Sequence, residues 1–454
     1  MKEAYQDLEG YENSLVTEKQ ILELVDKFIK QKHSRKSWEA GKDWVQYAGP
    51  YFSSDEYVAA IKSLLSEWLV LGADANKFET KFPKKFGKTF GLLANSGSSA
   101  NLLMMLALTS KRGYNLPKGT KVITPIAGFP TTINPILQVG FTPIFVDIEL
   151  KTLNLDLYQV EKACIDNPDA KIITFAHVLG NPPDMNKLME IVEKYKLILL
   201  EDCCDALGSS FEGKPLGSYG ELASCSFYPA HHMTMAEGGF VACKDENTER
   251  IIRSFREWGR GCYCIGKQNL LEKGSCGCRF NNWLPSLPND LFDHKYVYEE
   301  IGYNLKPIEL QAAIGLVQLD KLEEIGKRRR ENYNNLFSAF KKYEKYFHLH
   351  EAQPGADVDW FAFPVTLKDG APFKRSDICQ FFEANKIQTR PYFAGNIMLQ
   401  PAYSGLMDPT EVVTKFPIAR KVTTDTFFLG TSPVINKEKT DYIESILDNY
   451  INTL

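Results

Sequence analysis

From about residue 54 the chain alternates short, β-branched apolar runs with longer stretches of helical spacing, and this rhythm restricts the possible folds more than any other feature. The runs cover residues 121–124, 143–147, 171–176, 198–201, 223–228 and 239–243. Near-continuous apolar strands separated by helices predict an α/β fold with a mostly parallel sheet covered on both faces. Residues 1–45 are polar, with helical spacing at Ile21, Leu22, Leu24, Val25, Phe28 and Ile29, and read as an N-terminal helical extension. Residues 46–325 read as a large domain. Within it, residues 265–300 lose all periodicity, as functional loops do. A long helix is expected over about 307–340, and residues 326–454 read as a smaller C-terminal α+β domain.

Charge and hydropathy narrow the function classes. A net charge of −4 gives no reason to expect nucleic acid or an anionic membrane as partner. No window approaches the roughly 18 apolar residues of a membrane span, and the first residues lack an apolar core of signal-peptide length. The expected compartment is the cytoplasm, where cysteines stay reduced. The ten cysteines therefore read as ligands, catalytic thiols or core filler rather than disulfides. The basic run Lys327–Arg330 reads as a solvated helix face.

Three segments point to one pocket. In Asn95-Ser96-Gly97-Ser98-Ser99-Ala100-Asn101, small residues open an apolar helical run, which suits either an anion at the helix start or a plain serine cap. Leu199-Leu200-Glu201-Asp202 puts a carboxylate at the carboxyl end of a buried strand, where open α/β sheets bind ligands. The third runs from Ser224 to Gly239 and contains His231-His232 and Ala236-Glu237-Gly238-Gly239.

Together with Thr124-Pro125 through Phe129, Phe145-Val146-Asp147 and Tyr303-Asn304, these segments resemble the sugar aminotransferase branch of the fold-type-I pyridoxal phosphate (PLP) enzymes. The resemblance runs from about residue 47 to the C-terminus and implies the aspartate aminotransferase-like fold. It implies that Asp202 pairs with the cofactor's ring nitrogen and that Phe129 stacks on the ring. Ser98, Ser99 and Ser226, with Gly97, would hold the phosphate. Asp205 would lie near the ring hydroxyl, and Asn304 would reach a second subunit's phosphate, implying a homodimer.

One departure decides the chemistry. The aminotransferases carry a lysine six residues before the glutamate of Gly-Glu-Gly-Gly; this chain has His231 there, with Ala236 for the first glycine. An imidazole cannot anchor the cofactor covalently but can take and return a proton near neutral pH. The pattern resembles the nucleotide-sugar 3-dehydrases, which use noncovalent pyridoxamine phosphate (PMP). There His231 would act as base while a hydroxyl leaves the sugar.

The cysteines refine the resemblance. Glu201 through Gly208, Ser254 through Cys264 and Asp293 through Tyr296 look like the CDP-4-keto-6-deoxyglucose-3-dehydrase family of lipopolysaccharide biosynthesis. It implies a [2Fe–2S] cluster on Cys204, Cys262, Cys264 and Cys276, a CDP-linked 4-keto-6-deoxyhexose substrate, and electrons from a separate NAD(P)H-dependent flavin or iron–sulfur reductase. The gap between Cys264 and Cys276 is longer than the family pattern, and Cys278 is an alternative fourth ligand. A zinc site on Cys262, Cys264, Cys276 and Cys278 also fits the spacing. A cluster-free PMP-dependent dehydratase and a silent sugar-nucleotide binding protein are the rival functions. Cys164, Cys203, Cys225, Cys243 and Cys379 read as core filler.

Overall fold

A computed structural model describes residues 16–35, 37–262 and 279–454. The apolar runs form a seven-stranded sheet: β1 (Phe90–Ala94), β2 (Lys121–Pro125), β3 (Thr142–Val146), β4 (Ile172–Ala176), β5 (Ile198–Asp202), β6 (Leu222–Ser226) and β7 (Gly239–Cys243). Their order is β1-β7-β6-β5-β4-β2-β3. All pairs from β6 to β3 are parallel, while β7 runs antiparallel to both β1 and β6. The pleat sends adjacent residues to opposite faces. Leu92, Val122, Ile172, Leu200 and Val241 join one core with helices Gly97–Thr109, Pro130–Gln138 and Glu246–Arg256. Leu93, Ile123, Ile173, Leu199 and Ala242 join the other, with Ala73–Lys81, Leu157–Asp166, Met185–Tyr195 and Glu309–Asp320.

A four-stranded antiparallel sheet, built from Phe347–Leu349, Ala362–Leu367, Thr426–Gly430 and Arg390–Pro391, carries the C-terminal core. Helices Leu322–Lys341, Arg375–Ala384 and Lys437–Asn452 pack on it. Val45 pairs with Ile387 and joins this core, so the chain from Val45 to Tyr47 lies against the C-terminal sheet. Near the N-terminus, helix Glu18–Ser34 starts at a Thr17–Gln20 capping box.

Three expectations need correcting. The helix expected over 307–340 is two helices, Glu309–Asp320 and Leu322–Lys341. The two meet at Lys321, a turn residue at the edge of the helical region (φ −94°, ψ −2°), whose ammonium is bound by Ser53 (2.7 Å) and the buried Glu56 (2.6 Å). The strand β1 had no counterpart in the periodicity. The run Lys327–Arg330 is not a solvated face throughout: Lys327 is exposed and Arg328 and Arg330 are half-buried, but Arg329 is fully buried.

Candidate active site

Parallel pairing aligns Ala176, Asp202 and Ser224 across β4, β5 and β6, which gathers the strands' carboxyl ends at one rim. A cavity of about 540 Å³ opens there. Ser96, Gly97, Ser98, Phe129, Asp202, Cys204, Asp205, Ser226 and His231 line it from the large sheet, and Phe361, Arg390, Phe393 and Phe428 close it from the C-terminal sheet.

Asp202 is 4% exposed. One oxygen accepts from Asn101 Nδ2 (2.8 Å) and Thr132 Oγ1 (2.7 Å), the other from the Cys204 amide (3.1 Å) and, at 3.4 Å, from Ser224 Oγ. Every one of these donors is neutral, and no cation lies within ion-pair distance among the described residues. Phe129 caps helix Pro130–Gln138 and is 50% exposed on the cavity wall, its ring meeting Phe393 nearly at right angles at 5.8 Å between centroids. Helix Gly97–Thr109 begins at Ser96, whose hydroxyl accepts from the Ser99 amide (3.1 Å). The serine cap and the anion-seeking helix start are thus both present. A Cβ on Gly97 would meet Ser226 Cβ at 2.5 Å and Cys204 Sγ at 3.1 Å, so this floor admits only glycine.

His231 lies in the connection between β6 and β7, residues 227–238. The bonds Phe227 N to Gly238 O (2.9 Å) and Met235 N to Phe227 O (3.0 Å) close that loop. Its Nδ1 is 3.4 Å from Asp205 Oδ1, and its ring meets Phe361 at 5.2 Å between centroids. The other Asp205 oxygen accepts from the Leu179 amide at 3.2 Å. Ala236 holds φ +69°, a left-handed conformation costly for a residue with a Cβ. The second histidine, His232, is buried against the Asp359 carbonyl (2.5 Å), and burial drives its pKa well down, so it faces away from proton chemistry.

Not every residue singled out in the sequence reaches the cavity wall. Ser99 braces Ser96 (Oγ–Oγ 3.0 Å) from behind. Asn304 is exposed, outside the cavity, with its backbone bridged to Glu257. Cys204 borders the cavity and Cys262 is buried; Cys264, Cys276 and Cys278 lie outside the described residues. Cys164, Cys203, Cys225 and Cys243 are buried, and Cys379 is half-buried. The sequence reading missed Asn101, Thr132 and Ser224 as partners of Asp202. Asn101 left a signal, as the polar residue that opens an otherwise apolar helical run.

The residues fit a pyridine cofactor with a phosphate arm. A buried carboxylate with only neutral donors suits a ring nitrogen, a half-exposed aromatic side chain suits the ring, and a glycine-floored helix start suits the phosphate. Sheet order and site together define the fold of the PLP-dependent aminotransferases.

The chain belongs to the DegT/DnrJ/EryC1/StrS aminotransferase family, whose model matches residues 51–448. It is 40% identical to the lipopolysaccharide biosynthesis protein RfbH of Salmonella typhimurium, over 95% of this chain and 97% of that one. To the dTDP-4-dehydro-2,6-dideoxy-D-glucose 3-dehydratase of Saccharopolyspora spinosa it is 39% identical, over 90% and 87%. Among solved structures it is similar to a histidine-to-asparagine mutant of GDP-4-keto-6-deoxymannose-3-dehydratase (ColD) with bound GDP-perosamine. That match has a TM-score of 0.77 and 27% identity, covering 89% of this chain and 100% of that one. The chain is an enzyme of this group of PLP-dependent sugar dehydratases and aminotransferases. No described helix is long and apolar enough to cross a membrane.

Proposed function

We propose that the enzyme removes the C3 hydroxyl of a CDP-linked 4-keto-6-deoxyhexose, with PMP bound noncovalently. One observation carries this reading: the cavity wall presents His231 and, among the described residues, no lysine. When bound, the cofactor supplies an electron sink. Asp202 would hold its ring nitrogen and Phe129 would cover a ring face. Gly97, Ser98 and Ser226 would take the phosphate, with Ser99 bracing the helix start. His231, with Asp205 3.4 Å from its Nδ1, would take a proton from the cofactor's methylene carbon.

We further infer a [2Fe–2S] cluster on Cys204, Cys262, Cys264 and Cys276, fed by a separate NAD(P)H-dependent reductase in the cytoplasm. In support, Cys204 borders the cavity, and Cys262 is buried just before the stretch that carries the other thiols. Four thiolates suit such a cluster. A homodimer agrees with the exposed Ile301, Tyr303 and Ile308 around Asn304, an apolar stretch suited to a second copy.

Borohydride treatment with PLP is expected to leave no phosphopyridoxyl label, and a labelled lysine in the cavity would overturn noncovalent binding. With PMP and the CDP-linked substrate, His231→Asn is expected to lower proton exchange at the methylene carbon by about 10²–10⁴-fold. The dTDP- and GDP-linked sugars, run in parallel, test the nucleotide. Iron, sulfide and zinc analysis of anaerobically purified protein tests the cluster. Cys204→Ser, Cys262→Ser and Cys264→Ser should each abolish its spectrum, whereas zinc in place of iron leaves a cluster-free dehydratase. Cys276→Ser against Cys278→Ser identifies the fourth ligand.

A further inference from the structure

We propose that Arg329 is a positioning residue that holds the His231 imidazole in register with the C-terminal half of the cavity. The proposal rests on the reading of His231 as base. Arg329 sits on helix Leu322–Lys341 and is 1% exposed. No carboxylate pairs with it among the described residues; its guanidinium is instead spent on main-chain oxygens from both sides of the cavity. Nη2 donates to the carbonyls of Ala230 (3.1 Å) and His231 (2.9 Å). Nη1 donates to those of Phe361 (2.9 Å) and Trp360 (3.3 Å), with Thr431 Oγ1 at 3.5 Å. Thr431 in turn donates to the Trp360 carbonyl at 2.7 Å.

The two arms therefore grip the two residues whose rings meet at the cavity, His231 and Phe361. A planar fork of fixed geometry sets a distance between its acceptors in a way that a flexible ammonium does not. Burial lowers the guanidinium's pKa to about 10, so it remains charged near neutral pH. A buried cation bonded to carbonyls and one hydroxyl, with no carboxylate, is an expensive way to join two elements that apolar contacts could join. Its distinguishing product is the register it imposes.

The test compares full-length Arg329→Lys and Arg329→Met with the parent. The first readout is the His231 ring resonance in cofactor-free protein carrying labelled histidine, assigned with His231→Asn. It is expected to move and broaden in both variants while the His33 and His348 signals stay in place. The second is proton exchange at the PMP methylene carbon in the presence of substrate. The maximal rate is expected to fall by about 10²-fold in Arg329→Met, as a displaced catalytic group costs, with KM nearly unchanged and partial recovery in Arg329→Lys. An unmoved His231 signal overturns the proposal, whatever the exchange rate. A moved signal with an unchanged exchange rate instead removes the base role from His231 and leaves the register standing. If neither variant folds, Thr431→Val removes a single acceptor of the fork and is expected to move the same signal by less; no movement overturns the proposal.

Discussion

Buried acids receive opposite treatment in two parts of this molecule. Beside β1, Glu79, Glu249 and Glu257 meet Arg253 and Arg256: Arg256 lies 2.8 Å from Glu79 and 2.7 Å from Glu257, and Arg253 pairs with Glu249. Burial acts to lower the Arg256 pKa, but the two glutamates more than offset it and hold the guanidinium charged. Charge there is balanced within the chain. Asp202 is equally buried, yet receives only an amide, two hydroxyls and a backbone N–H. A charge neutralised internally serves the scaffold, while Asp202, with neutral donors alone, is the acid that the proposed cofactor would pair with.

The contrast can be broken from the scaffold side first. Arg256→Met leaves Glu79 and Glu257 only the longer pairs to Arg253, at 3.6 and 4.0 Å, and is expected to cost about 3 kcal/mol, read by denaturant unfolding, with PMP affinity per folded molecule unchanged. Asp359 is an intermediate case, paired with Arg330 but too buried for that pairing to prevail. Burial, opposed by Arg330, raises its pKa to about 6 from an ordinary 3.8. Between those values the folded chain keeps a proton that the unfolded chain has lost. Stability is therefore highest below the unfolded value and falls as pH rises through about 6, by roughly 3 kcal/mol in all. Asp359→Asn should flatten that part of the stability profile.

Asp202→Ala sharpens the contrast from the other side. It is expected to cost cofactor-free protein less than Arg256→Met does, because its neutral donors lose an acceptor but no cation loses a partner. PMP affinity should fall by about 10–100-fold, as the loss of a charged hydrogen bond costs, measured by titration calorimetry. A large loss of cofactor-free stability would make Asp202 part of the scaffold. The smallest effect is expected from Ala236→Gly, which relieves the left-handed alanine and should stabilise the fold by about 1 kcal/mol or less, read as a small rise in Tm.

The legible parts of the sequence were those encoded locally. Strands β2 to β7 stood out because their residues are apolar or β-branched over runs of strand length, and Asp202 and His231 stood out against the segments around them. β1 did not, since Phe-Gly-Leu-Leu-Ala carries no β-branched residue and a glycine that Phe240 leaves no room to replace. The neutral partners of Asp202 come from three separate elements, helix Gly97–Thr109, helix Pro130–Gln138 and β6, which only tertiary structure brings together. Arg329 was read as solvated because it stands in a basic run within a charged helical stretch. Its burial follows from a helix rotation that periodicity in so polar a stretch does not reveal.

The hairpin that carries His231 has a consequence for how the site can open. Its loop is tied at both ends to interior strands of the large sheet, β6 and β7, and stitched across by Phe227, Thr234 and Met235. Such a loop has no low-energy local opening of its own; its amides should exchange with solvent deuterium only when the sheet itself unfolds. His231 is therefore expected to sit in a slowly fluctuating part of the protein. Traffic into the cavity must use the opposite wall, where Arg390, Phe393 and Phe428 stand on short strands and loops of the C-terminal sheet.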